Sequence, residues 1–288
     1  MRNKWLLCCS VSVGAILLGA SGVAFAQPSD PSLPGETVGT VATTEGGVAI
    51  LAGVRTWASR WDVPIITRTL DPVSMTIHEH YQPALSDTKF VPMPVLGIRY
   101  GNWLASATYF PETSYDTNGA LAKSVKRKEY DLNVGYYILP SLAISLGYKG
   151  ANIDRASDID GSAYKIKAIL VGLSGSAPIA DKLSVYGNIA YGLGQEKTEF
   201  PLANGKSKFD GNYIISEFGL SYQLVRASSS EFLKGVVLSA GYRAQTVTIN
   251  SFPLGTFLPA APTVPVSITT RDARSTTDGF VINVVGVF

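Results

Sequence analysis

The chain has 288 residues, of which only 16% are Asp, Glu, Lys or Arg, with 28 glycines, 14 tyrosines and a formal net charge of +2. Soluble domains average about a quarter charged residues, and a near-neutral chain does not carry the electrostatic footprint of a nucleic-acid binder. Both cysteines, Cys8 and Cys9, lie in the N-terminal apolar run, so the rest of the chain has no disulfide framework, no cysteine nucleophile and no thiolate metal site.

The first element in chain order is MRNKWLLCCSVSVGAILLGASGVAFAQ. Arg2 and Lys4 precede an apolar run, and Ala24-Phe25-Ala26 supplies small residues at the two positions a signal peptidase reads, which predicts a secretory signal peptide over 1–26. Its removal takes away Arg2 and Lys4 from the 24 Lys+Arg, so the remaining cations balance the 22 Asp+Glu. After residue 26 no run of 18 or more apolar residues occurs, so no transmembrane helix is expected. Residues 27–46 are rich in Pro, Ser, Thr and Gly and read as a flexible leader.

From Gly47 onward the hydrophobic period is two, the mark of strands whose faces meet different surroundings. The first three expected strands are Val48–Trp57, Val91–Tyr100 and Trp103–Phe110. In the fourth, Tyr130, Leu132, Val134, Tyr136 and Ile138 alternate with Asp131, Asn133, Gly135 and Tyr137. In the fifth, Leu142, Ile144, Leu146 and Tyr148 alternate with Ala143, Ser145, Gly147 and Lys149. Tyr164–Gly175 follows with its faces undecided, because Lys165 and Lys167 share parity with Ile169, Val171 and Leu173. Leu183–Leu193 is next. Ile214 to Leu224 then alternates with Ile215, Glu217, Gly219, Ser221 and Gln223, and Leu238 to Tyr242 alternates with Ser239, Gly241 and Arg243. The last is Phe280, Ile282, Val284, Gly286 and Phe288, ending the chain. Ten strands result, with eight or twelve left open, since VPIITRTL and SMTIHEH in the first long connection could form an extra hairpin.

The connections alternate. Gly101-Asn102, Leu139-Pro140-Ser141, 176–182 and 225–233 are short, whereas 61–90, 111–124, 150–163, 194–209 and 248–277 are long. Short turns at one end and long loops at the other are what a transmembrane barrel shows. The expected fold is all-β: a closed antiparallel up-and-down transmembrane barrel over 47–288.

At this point the chain resembles a Gram-negative outer-membrane β-barrel protein of the small, porin-like class. The signal peptide, NVGYYILPSLAISLGYKG, KLSVYGNIAYGLG and the closing GFVINVVGVF carry the resemblance. It implies that Phe280, Ile282, Val284 and Phe288 form the C-terminal signal read by the barrel assembly machinery. It also implies outer-membrane lipid and lipopolysaccharide as partners.

Four strands share a Gly-apolar-cation unit: Gly53-Val54-Arg55, Gly97-Ile98-Arg99, Gly147-Tyr148-Lys149 and Gly241-Tyr242-Arg243. Arg55, Arg99, Lys149 and Arg243 are therefore expected inside, opposite Asp131 and Glu217. There they form either a salt-bridge plug or a solute-selecting constriction. Lys123, Lys126, Arg127, Lys128, Lys165 and Lys167 are candidate contacts to lipopolysaccharide phosphates. His78 and His80 share a face, but a third metal ligand is not evident at a telling spacing, and no carboxylate continues that face. No metal, cofactor or catalytic residue is assigned, and a monomer is expected. Three function classes remain: a structural or surface-interaction protein, a small-solute channel, and a membrane-embedded hydrolase acting on lipid or peptide. Loss of Phe288, or a charged tail appended to it, is expected to lower the yield of heat-modifiable protein in the membrane fraction. The gel-shift assay checks this, and unchanged yield would remove the assembly role.

Overall fold

A computed structural model describes residues 47–117, 124–155, 163–226 and 232–288. The signal-peptide and leader assignments, and Lys123, lie outside these residues. Eleven strands follow in order: β1 (Val48–Asp71), β2 (Thr76–Leu85), β3 (Lys89–Tyr100), β4 (Trp103–Asp116), β5 (Ser124–Leu139), β6 (Leu142–Arg155), β7 (Tyr164–Ala180), β8 (Leu183–Thr198), β9 (Lys208–Arg226), β10 (Gly235–Leu258) and β11 (Ala261–Val287).

Consecutive strands from β3 to β11 pair antiparallel. The inner half of β1 closes the circle, pairing β3 from Val48↔Tyr100 to Ser59↔Lys89 and β11 from Leu51↔Val287 to Trp61↔Thr277. The wall thus has the ten staves expected, and β2 is the additional strand. From Asp62 onward β1 pairs β2 instead, so the first long connection is the extra hairpin. Its turn is tied by Asp71, whose carboxylate accepts from Ser74 Oγ at 2.7 Å and Val73 N–H at 2.9 Å. The Ser74 bond, followed by the backbone bond, holds that carboxyl below its usual range.

The β3–β4 turn is Gly101-Asn102, and Gly101 has φ 55°, which a two-residue hairpin turn needs. The turns between β5 and β6 and between β7 and β8 lie at the same end, as does Phe288. The Phe288 N–H donates to Ile50 O at 2.8 Å, and its carbonyl accepts from Ile50 N–H at 3.0 Å.

Alternation resolves cleanly into faces. Outside lie Leu96 and Ile98 on β3, Leu132 and Val134 on β5, Leu146 on β6, Ile169 and Val171 on β7, Leu193 on β8, and Phe218 and Leu220 on β9, all exposed. Ile166, Ala168 and Leu170 of β7 face inward and are buried, which settles the strand whose parity was ambiguous. The rings cluster toward the two ends. Trp103 packs edge-on against Tyr136 near the short turns, at 4.9 Å between centroids. Tyr242 lies between Phe218 and Phe280 toward the other end, at 6.2 and 5.5 Å. An apolar band flanked by aromatic rings is the lipid-facing surface of a membrane barrel.

The last long connection is a paired hairpin: β10 and β11 run on to Leu258↔Ala261, with Pro253 on β10 and Pro262 and Pro265 on β11. Register shifts at Ile249/Phe252 and Thr256/Phe257 absorb the irregularity. Pro253 is tolerated because β9 pairing ends at Ile249↔Gly211, so no neighbour on that side needs its missing N–H. Phe252, Leu254 and Phe257 turn inward and are buried, so the hairpin leans over the barrel mouth.

Leu146→Arg is expected to destabilise the barrel by roughly 2–4 kcal/mol in lipid vesicles, because the side chain would enter hydrocarbon near mid-depth. Urea unfolding monitored by tryptophan fluorescence measures it. A change below about 0.5 kcal/mol, as at an ordinary solvent-exposed site, would show that this face meets water.

Candidate functional site

The inward faces bring together charges from five staves. Glu129 and Asp131 come from β5, Lys149 from β6, Glu217 from β9, Arg243 from β10 and Arg55 from β1. The Lys149 ammonium bridges Asp131 Oδ1 at 2.6 Å and Glu129 Oε2 at 2.7 Å. Arg243 spans Asp131 Oδ2 at 3.4 Å and Glu217 Oε2 at 3.0 Å. Arg55 reaches Glu217 Oε1 at 3.8 Å and donates through Nε to Asn283 Oδ1 at 2.7 Å; Asn283 in turn donates to Ser239 Oγ at 2.8 Å. Tyr186 donates to Glu217 Oε1 at 3.2 Å. Most of these groups are buried, Lys149 and Glu217 each to 1% exposure, so each charge depends on its partners to offset desolvation.

Glycine makes room for this network. A Cβ on Gly219 would lie 2.7 Å from the Tyr186 hydroxyl, and one on Gly241 would meet the same atom. The Tyr186 ring therefore crosses β9 and β10 only because both positions are bare. This gives the Gly241-Tyr242-Arg243 unit a reason: glycine and cation share the inner face, and the glycine yields space to a neighbour.

The sequence-derived lumen residues Arg55, Arg99, Asp131, Lys149, Glu217 and Arg243 all face inward, but Arg99 stands apart. It sits near the short-turn end, donates to Gly101 O at 3.1 Å and lies 4.6 Å from the centre of the Tyr137 ring. Two members of the interior network were missed. Glu129 has the parity of Asp131 and Asn133, so the alternation already pointed to it. Arg127, expected at the lipid headgroups, is a correction. It is 5% exposed, is paired with Glu129, donates to Thr277, and lies 4.8 Å from the Trp61 ring centre. Its parity matches Glu129 and its neighbours Lys126 and Lys128 have the opposite parity, which continuing the alternation outward would have shown.

The charges are sandwiched. Toward the short turns lie Ala49, Leu51, Leu104, Tyr137, Ala143, Val237, Val285 and Val287. Toward the long connections a larger cluster runs from Trp57 and Met93 through Trp61, Phe110, Tyr115 and Tyr213 to Phe209 and Phe252. The two outer hairpins finish it. Glu79 of β2 pairs with Arg68 at 3.0 Å and accepts from Gly255 N–H of β10 at 2.8 Å. Tyr81 of β2 accepts from Arg274 N–H of β11 at 3.0 Å. The cavity beside Asp131, Lys149 and Arg243 measures about 50 Å³, room for a few water molecules and not for a solute path.

A closed antiparallel wall, apolar outside and polar within, meets the one condition under which strands can cross a bilayer. The fold is that of an outer-membrane β-barrel protein. No protein-family model and no curated protein sequence matches the chain. Among solved structures it is similar to the outer-membrane protease OmpT of Escherichia coli, at 10% identity and TM-score 0.36 over 86% of this chain and 98% of that one. It is also similar to the toluene transporter TodX of Pseudomonas putida, at 10% identity and TM-score 0.30 over 85% and 90%. The toluene transporter TbuX of Ralstonia pickettii gives 9% identity and TM-score 0.28 over 85% and 90%. The assignment of fold rests on the strand pairing and the facing of side chains.

The histidines of β2 sit in a strand. His78 hydrogen-bonds Thr76 at 2.8 Å and Thr256 at 3.1 Å, and His80 bonds Thr69 at 2.8 Å. Among the described residues no three His, Cys, Asp or Glu side chains converge as metal ligands. The positions named for assembly lie on the last stave: Phe280, Ile282 and Val284 are exposed on the outer face, and Phe288 packs on Phe232 at 5.1 Å.

Glu217→Ala leaves Arg55 and Arg243 buried with one counter-ion fewer, and is expected to cost about 3–5 kcal/mol. Glu217→Ala combined with Arg243→Ala should cost less than the sum of the two single changes. Urea titration of both singles and the double gives this coupling; strict additivity would mean that the two groups do not interact.

Proposed function

We propose that the protein is an integral protein of the Gram-negative outer membrane with a closed lumen, acting as a structural or surface-interacting element. The observation that carries this reading is the lumen itself: a paired charge network held between two apolar layers and capped by two hairpins. In this reading the barrel is a rigid support, and contacts with other molecules occur on its wall and outer rim. Insertion would use the barrel assembly machinery, with Phe288 and the outward residues of β11 as the signal. The protein would work as a monomer, its lipid surroundings including lipopolysaccharide.

The channel reading would need open space where Trp57, Phe110 and Tyr213 are packed. The hydrolase reading would need an acid, base or nucleophile set at the rim, whereas His78 is engaged by two threonine hydroxyls. Purified protein reconstituted in planar bilayers is expected to show no unitary conductance steps above the lipid background. Stepwise conductance of the intact protein would overturn the closed-barrel reading.

A further inference from the structure

The charges of the lumen do not balance. Arg55, Arg127, Lys149 and Arg243 face Glu129, Asp131 and Glu217, which leaves one positive charge in excess. The other two buried charges among the described residues, Arg99 and Glu196, are of opposite sign and leave that excess unchanged. A charge without a counter-charge in a closed interior bears its full desolvation cost.

The shortfall falls on Arg55. Lys149 has carboxylate oxygens at 2.6 and 2.7 Å, and Arg243 has them at 3.0 and 3.4 Å. Arg55 is equally buried, yet its one carboxylate partner among the described residues, Glu217 Oε1, stands at 3.8 Å. That oxygen also accepts from the Tyr186 hydroxyl at 3.2 Å.

The cavity of about 50 Å³ inside the network is lined by three cations, Arg55, Lys149 and Arg243, and by the single carboxylate of Asp131. Both Asp131 oxygens are taken, one by Lys149 and the other by Arg243. The facing side is neutral and rich in hydrogen-bond donors. Strand register sets Ser174 of β7 beside Asn188 of β8, and Asn188 beside Glu217 of β9, which pairs with Arg243 of β10. Asn133 and Ser145 also line it. Gly172 leaves room for Ser145, since a Cβ there would lie 2.6 Å from its Oγ. Ser174 is 5% exposed, and its hydroxyl has no hydrogen-bond partner among the described residues.

We propose that this cavity is a binding site for one small monovalent anion of the halide class, held between the Arg55 guanidinium and the Ser174 hydroxyl. A water molecule needs about 10–15 Å³ of such space, so the cavity takes a monatomic anion together with a water or two. Guanidinium N–H and hydroxyl groups make charge-assisted hydrogen bonds to an anion. Water alone would satisfy Ser174 and leave the excess charge uncompensated, whereas a divalent oxyanion would reverse its sign. The anion is then a component of the plug, supplying the counter-charge that the side chains lack.

The full-length protein is folded into detergent micelles in gluconate buffer, and chloride or bromide then replaces gluconate at constant ionic strength, which fixes general screening. Tryptophan fluorescence follows the unfolding temperature. An anion bound only by the folded barrel is expected to raise it by roughly 3–5 °C for each tenfold rise in halide above the dissociation constant. Arg55→Gln removes the excess charge and should abolish this response while the barrel stays heat-modifiable on gels. Ser174→Ala keeps every charge and should weaken halide binding by about tenfold, as for loss of a hydrogen bond to a charged group. Crystals grown in bromide should show an anomalous-scattering peak in the cavity between Arg55 and Ser174. An unfolding temperature indifferent to halide, an undiminished response in either folded variant, or a cavity without bromide would each overturn the proposal. The site rests on the closed lumen proposed above. Stepwise conductance would overturn that lumen and the enclosed site together, whereas a non-conducting barrel without a halide response would overturn the site alone.

Discussion

Backbone pairing is the constraint on which everything else in this molecule depends. In hydrocarbon an unpaired N–H or C=O costs several kcal/mol, so a strand that enters a bilayer needs a neighbour on both sides. The inner half of β1 supplies the last pairing, holding β3 on one edge and β11 on the other. Phe288 completes that seam through reciprocal bonds with Ile50. Once the circle is closed at ten staves, its interior is just wide enough for side chains, and whatever points inward must fill it.

That narrowness explains the lumen. Four cations and three carboxylates of the network could not remain in so small a space unless each had partners, and every one does. Such a network is weak evidence for stability compared with an apolar core, because desolvation offsets much of the attraction. Its value here is geometric. Arg243 of β10 bridges carboxylates on β5 and β9, and Lys149 of β6 holds both carboxylates of β5, which ties the wall together across its middle. The apolar layers above and below keep water from competing for those bonds.

Outside the membrane the constraint relaxes, and the strands behave differently. β1 leaves β11 for β2, and β10 exchanges β9 for a brief pairing with β2 at Thr256↔His78. Polar ties such as Glu79 to Gly255 and Trp61 to Ser275 hold the hairpins over the mouth. The prolines of β10 and β11 fit there because free edges facing water do not need every N–H.

Much of this was legible in the chain. The two-residue period places Val134, Leu146 and Ile282 on lipid and Asp131, Lys149 and Glu217 inside, because successive strand side chains must point to opposite faces. The alternation of short and long connections gives the number of staves and the end at which Phe288 lies. Tertiary structure decided the rest. Parity names a face but not a neighbour, so nothing local says that Arg55 and Glu217 would meet across 161 intervening positions. Strand register, a property of two segments at once, aligned Lys165, Lys197 and Lys208 into one row. The Ile166–Leu173 parity, with its mixed residues on both faces, became readable only when pairing turned Lys165 and Lys167 outward. Arg127 went inward because its stave continues the same alternation beyond the point where sequence composition suggested a solvated loop.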